Sequence, residues 1–308
     1  ALTAWLSWKL LARYFDPALL LRAPLPASLR RESLATGLAM LPPALARRAY
    51  NDLPPILLNA MIPGAGGATA AGLFGIARKI ASIPLIVRQS FLYVLAPLAS
   101  AQAAVDRKEI APLYSFSTHL SLLLAVPLAG LLILIAADLL TAFAPGAEAA
   151  LLVLIILLAA RAAEAALGPA TPIVEMIGHR GLPLANSLAG LAIWLALGIW
   201  LVPDMGATGM AIAVSAAVVL TALLAIVELY WADQVAPFGH GFLRAAVAAA
   251  GCIALLWGVG ELLAPFGQRV RALSLFLLFW PCLWLTLRLG LLPVDKQGLG
   301  KVAAKLRL

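Results

Sequence analysis

"PLANSLAGLAIWLALGIWLVPDMGATGMAIAVSAAVVLTALLAIVELYW" occupies residues 183–231. Two apolar runs, 183–202 and 207–231, stand on either side of a short turn that begins "PDMG". A helix needs about 20 apolar residues to cross ~30 Å of hydrocarbon, and each run supplies that length. Gly206 and Gly209 leave room for the two helices to approach closely. The stretch reads as two membrane crossings joined by a tight connection, and the rest of the chain repeats the pattern.

Working outward, further crossings are expected at 36–62, 70–97, 116–143, 149–174, 242–263 and 272–292. The composition agrees: of 308 residues, 63% are hydrophobic and 12% charged, with a mean hydropathy of +1.00. A soluble domain carries roughly 25% charged residues, so an ordinary globular protein is excluded. The expected fold class is all-α, a polytopic membrane helix bundle of about eight transmembrane helices.

Basic residues divide by side. Lys9, Arg13, Arg22, Arg30, Arg31, Arg107, Lys108, Arg180, Arg244, Arg288 and the tail "DKQGLGKVAAKLRL" gather on one side of this topology, with Arg269 and Arg271 on the other. Lys and Arg accumulate in the cytoplasm, so both ends are expected there, which requires an even number of crossings. The +8 net charge therefore serves topology and is no sign of a nucleic-acid partner. In the opening "ALTAWLSWKLLARYFD" the basic residues follow the apolar stretch, opposite to a secretory leader. Residues 1–12 are expected to end a helix that begins outside the chain. Cys252 and Cys282 sit in apolar runs as small hydrophobic packers. Trp200, Trp231, Trp257 and Trp280 fall near helix ends, where an interfacial belt or helix packing accounts for them equally.

One cluster breaks the apolar pattern. "LARRAYNDLPP" (45–55) places Arg47, Arg48, Asn51 and Asp52 inside the first full crossing, with the pairs Pro42-Pro43 and Pro54-Pro55 on either side. Proline removes a helical hydrogen bond, so this helix is expected to bend around its charges. An arginine at mid-bilayer costs about 2.5–3.5 kcal/mol on insertion scales, so it faces a protein interior or a wet cavity. Arg48 and Asp52 are spaced to pair along one helix face, as are Arg47 and Asn51. Arg47 would then remain as a free cation suited to a phosphate. The competing reading lets the arginines snorkel to the interface. The next helix adds Arg78, Lys79 and Arg88; Arg78 and Arg88 lie about three turns apart. The candidate binding set is thus Arg47, Arg48, Asn51, Asp52, Arg78, Lys79 and Arg88. Arg161 and Glu164 are expected to form a structural ion pair. Asp138 and Glu228 are read as solvated helix-end residues, and Glu175, His179 and Arg180 as a turn.

Enzyme signatures are missing from the sequence. "GAGGATAAG" lacks the Lys-Ser/Thr ending of a phosphate loop and reads as a connection between helices. His119, His179 and His240 lack metal-ligand spacing. No catalytic set, metal or cofactor is expected.

The stretch "NDLPPILLNAMIPGAGGATAAGLFGIARKIASIPLIVRQSFLYVLAPLAS" (51–100) resembles the seventh and eighth helices of bacterial polysaccharide flippases. Those O-antigen and exopolysaccharide exporters share a superfamily with lipid II flippases and multidrug and toxin extrusion transporters. "GLFGIARKI" matches the family's aromatic-Gly segment followed by a basic pair, and "HRGLPLANSLAGLAIWLALGIWLVP" with "VPDMGATGMAIAVSAAVV" resembles its eleventh and twelfth helices. The resemblance implies two six-helix lobes plus two extra helices that alternate between opposite faces. Residues 33–235 would be the C-terminal lobe, 236–293 the extra pair, 1–32 a preceding helix end with a basic linker, and 294–308 a basic tail. An N-terminal lobe would lie outside this chain, in the same or a companion polypeptide. The implied substrate is a lipid-linked oligosaccharide carried across the bacterial inner membrane. Membrane lipids and polysaccharide-synthesis enzymes are the implied neighbours. Two alternatives stand beside it: a drug or cation antiporter of the same superfamily, which favours intramembrane carboxylates, and an intramembrane polymerase or glycosyltransferase, which the short outer loops disfavour.

Overall fold

The computed structural model describes residues 26–87, 89–90, 110–176 and 181–306, with Trp5, Trp8, Lys9 and Ala12. Contacts divide the chain into two compact units, Ala1–Leu41 and Pro42–Leu308. In the first, Leu29, Leu34 and Leu38 stand exposed on the opening turns of α1 (Ala27–Asp52). The helix bundle and the candidate site belong to the second.

All regular structure among the described residues is helical. After α1 come α2 (Pro54–Met61), α3 (Ala65–Ala81), α4 (Ala111–Leu134), α5 (Ala136–Phe143), α6 (Leu151–Ala166) and α7 (Ala170–Met176). Then follow α8 (Gly181–Asp233), α9 (Phe242–Leu262), α10 (Gln268–Gly290), α11 (Pro293–Leu299) and α12 (Lys301–Leu306). Among the described residues, six segments are long and apolar enough to cross a membrane: Ala65–Val87, Ala111–Leu134, Ala147–Ala166, Gly181–Asp233, Phe242–Leu262 and Gln268–Gly290. The chain is a polytopic, all-helical membrane protein.

The fourth of these segments is two helices. At ~1.5 Å per residue, its 53 residues would run far beyond the ~30 Å of a hydrocarbon core. The backbone leaves helical geometry at Gly206 (φ 56°, ψ −129°), a positive φ that glycine adopts without strain. The limbs then run back against each other. Trp194 donates to Met210 Sδ at 3.3 Å, and Asn186 donates to Glu228 Oε2 at 2.6 Å. A Cβ on Gly209 would lie 2.5 Å from the Leu201 carbonyl oxygen, so glycine there is a condition of the close approach. Glu228, expected to be solvated, is instead the partner that ties the open end of this hairpin.

The first expected crossing also proves to be two helices. Pro54 and Pro55 carry no N–H, so α1 ends at Asp52 and α2 restarts at Pro54 across Leu53. With Arg30, Arg31, Arg47, Arg48 and Asp52 in its sequence, α1 is not among the six apolar segments. The Gly-rich run at 63–70 is a loop only at its beginning. Gly64 turns with φ 71°, and α3 starts at Ala65.

α4 is the central helix, with 72% of its apolar window buried against 22% for α9 and 28% for α10. One face joins a core of Tyr50, Leu58, Phe74, Leu154, Leu158, Trp194 and Met210. Leu131 and Ile135, at and beyond its C-terminal end, meet Cys252, Leu256, Leu275 and Phe279 of α9 and α10. Both cysteines are free and buried, as their apolar context implies. Trp200, Trp231, Trp257 and Trp280 are all exposed, which favours the interfacial belt over helix packing. The tail helix α11 docks through Asp295, which accepts from the Leu292 N–H at 3.1 Å and pairs with His119 Nδ1 of α4 at 3.0 Å.

Candidate functional site

The break between α1 and α2 builds the site. A proline at 55 leaves the carbonyl of Asn51 without its helical donor, and in a membrane such a group must find another partner. Arg78 of α3 supplies it: its Nη1 donates to Asn51 O and lies 2.9 Å from Asp52 Oδ1. The Asn51 side chain is engaged twice more. Its Nδ2 donates to Arg47 O at 2.8 Å, and its Oδ1 accepts from Arg161 Nη2 of α6 at 3.2 Å. Asn51 is therefore a hub with its main-chain carbonyl and both ends of its amide committed.

Two further ion pairs flank the hub. Arg161 Nη1 meets Glu164 Oε2 at 2.9 Å, the deepest of the pairs, with side chains 12% and 10% exposed. Arg47 Nη1 meets Glu175 Oε1 of α7 at 2.5 Å. α7 reaches this position because α6 stops at Ala166 and the chain turns at Gly168 (φ 74°) before restarting. Two cavities open around the hub. One of about 220 Å³ is lined by Arg47, Tyr50, Asn51, Arg161, Glu164 and Thr171 among others. A second of about 420 Å³ is lined by Asn51, Asp52, Arg78, Lys79, Ser82 and Arg161 among others.

The structure thus brings Arg47, Asn51, Asp52, Arg78 and Lys79 of the candidate set together, and corrects how they pair. Asp52 binds Arg78 rather than Arg48. Arg47, expected to be free, is held by Glu175. Arg48 is exposed and lines neither cavity. Arg88 lies outside the described residues, as do Arg13, Arg22, Arg107, Lys108, His179 and Arg180. Lys79 lines the second cavity with its ammonium in no ion pair among the described residues. The expected Arg161–Glu164 pair is present, but it faces the cavity and belongs to the site.

Sequence reasoning missed Glu175 as a partner, together with Tyr50, Gln89, Thr171 and Thr221 as lining groups. Glu175, Thr171 and Thr221 sit in apolar or turn contexts that give no local sign of where they point, and Tyr50 and Gln89 stand beside charged residues that give the stronger signal. Among the described residues around the two cavities, four cations (Arg47, Arg78, Lys79, Arg161) face three carboxylates (Asp52, Glu164, Glu175), leaving one formal positive charge. The lining interleaves ion pairs with hydroxyls and amides. Among the described residues no group of three His, Cys, Asp or Glu is arranged to hold a metal. Compared with protein-family models, curated proteins and solved structures, the chain matches none.

Proposed function

We propose that this chain is the substrate-holding part of a flippase that moves a polyprenyl-pyrophosphate-linked oligosaccharide across the bacterial inner membrane for cell-surface polysaccharide synthesis. One observation carries the reading: an Asn51-centred network inside a membrane helix bundle lines two adjoining polar cavities with a cationic excess. A pyrophosphate competes with a carboxylate for a guanidinium because it too can accept two parallel N–H bonds, and it carries more charge. Arg47 and Arg78, with side chains 31% and 38% exposed and each bound to one carboxylate, are the groups able to exchange partners. Tyr50, Asn51, Gln89, Thr171 and Thr221 supply hydroxyl and amide groups for sugar hydroxyls. Both chain ends on the cytoplasmic side, with the broken α1–α2 helix as an eighth crossing beside the seven apolar ones among the described residues, and alternating access against a further lobe, complete the proposal.

The three carboxylates in the site favour a second reading, a cation antiporter of the same superfamily. Transport in the producing cell separates the two. Arg47→Gln with Arg78→Gln should lower surface polysaccharide about tenfold or more, since each charged contact is worth about 1.5–3 kcal/mol, while Asp52→Asn should have the smaller effect. Unchanged polysaccharide in the double arginine variant, with cation resistance lost in Asp52→Asn, would establish the antiporter instead.

A further inference from the structure

A second cavity system lies away from the polar site. Between α9 and α10 runs an apolar groove of about 580 Å³, lined by Leu243, Val247, Gly251, Leu255, Cys282 and Leu285 among others, with Arg244 at one end. That volume falls within the ~300–1,000 Å³ of small-molecule sites. On α9 its lining recurs every three or four residues from Leu243 to Leu255, a span of ~18 Å at 1.5 Å per residue. One leaflet of the hydrocarbon core is about 15 Å deep, half of ~30 Å. The groove therefore matches the depth of a single leaflet.

Arg244 and Lys296 meet at its charged end, and Arg288 stands on the neighbouring face of α10. Arg244 lies in the first turn of α9 and Arg288 in the last turn of α10, the same end of that hairpin. Arg244 Nε donates to Leu289 O at 2.5 Å, and Lys296 Nζ donates to the adjacent carbonyl, Arg288 O, at 3.0 Å. The Arg288 guanidinium stacks over Trp284 at 5.2 Å, an amphipathic ring suited to the headgroup region. Asp295, the neighbouring carboxylate, is buried against His119 and forms no ion pair with these cations among the described residues. The Nη groups of Arg244 make no hydrogen bond or ion pair among the described residues.

We infer that this groove is a binding site for an anionic bilayer phospholipid, with the headgroup phosphate at Arg244 and Lys296 and one acyl chain between α9 and α10. Charge complementarity at the mouth selects an acidic lipid, and the depth of the groove selects a lipid of one leaflet. The site is separate from the Asn51 network and does not depend on the transport reading.

The test is native mass spectrometry of the full chain released from nanodiscs containing equal phosphatidylglycerol and phosphatidylcholine. The intact protein should retain phosphatidylglycerol preferentially. Each of Arg244→Gln and Lys296→Gln should lower that preference about fivefold, the effect of one basic residue near an anionic surface. Gly251→Leu should abolish retention of either lipid, because a Cβ there meets nothing within 4 Å and a larger side chain fills the groove without displacing the protein. Helix content by circular dichroism confirms that each variant is folded, and phosphatidylglycerol titration of the unaltered chain reads the same site independently. Equal retention of both lipids, or unchanged preference in both charge variants, overturns the inference. So does displacement of phosphatidylglycerol by polyprenyl phosphate at equal concentration, which would make the groove a substrate-tail site.

Discussion

Asn51 shows why local spacing misleads at a helix break. Residues four apart on a continuous helix meet, so Arg48 and Asp52 look like partners. Pro55, however, strips a donor from the Asn51 carbonyl, and Arg78 arrives to replace it, taking Asp52 with the same guanidinium. The presence of charge at 47–52 was legible in the sequence. The partners were not, because Glu175, Arg161 and Arg78 come from distant helices. The hub makes a prediction. Asn51→Ala removes a bond to a charged group, worth about 1.5–3 kcal/mol, and partial exposure puts the effect at the lower end. Thermal unfolding in detergent should fall accordingly. Asn51→Asp keeps the acceptor for Arg161 but cancels the surplus positive charge, so it should impair transport more than stability. An unchanged melting temperature in Asn51→Ala would falsify the hub.

Among elements, the two limbs of α8 were legible as separate crossings because length alone forbids a single helix of 53 residues in a bilayer. What sets their spacing is backbone contact at Gly209, where an added Cβ would sit 2.5 Å from Leu201 O and 2.7 Å from its carbon. Backbone cannot rotate away as a side chain can. Gly209→Val should therefore cost about 1–3 kcal/mol through overpacking. Gly72→Ala in α3, with nothing within 4 Å, should be neutral or stabilise by up to ~1 kcal/mol through helix propensity. Similar losses at both positions would mean that general helix effects, and not the contact, govern α8. The tail helix α11 was invisible in advance, since a basic tail gives no sign that its one acidic residue, Asp295, reaches His119. Asp295→Ala leaves the Leu292 N–H and His119 Nδ1 without their acceptor, a penalty of about 1–3 kcal/mol. Limited proteolysis should then cut near residues 291–300 under conditions that leave the parent chain intact.

At the scale of the whole molecule, sidedness follows from counting crossings between marked positions. Asp204 sits at the turn of α8, just before the glycine at which the helix reverses. His240 lies in the connection between α8 and α9. The second limb of α8, residues 207–233, is one passage through the bilayer, so these two positions must face opposite aqueous compartments. In the proposed orientation, with Lys and Arg gathered in the cytoplasm, His240, beside Arg244, faces the cytoplasmic side. A membrane-impermeant thiol reagent tests both statements. The native Cys252 and Cys282 are buried and should react slowly, leaving a low background. In intact spheroplasts Asp204→Cys should label at once and His240→Cys only after permeabilisation. Labelling of both from outside would contradict two crossings in α8, whereas the reverse order would preserve the fold and invert the orientation. The second outcome would also turn the proposed lipid site toward the outer leaflet, where Arg244 and Lys296 would meet a different supply of acidic headgroups.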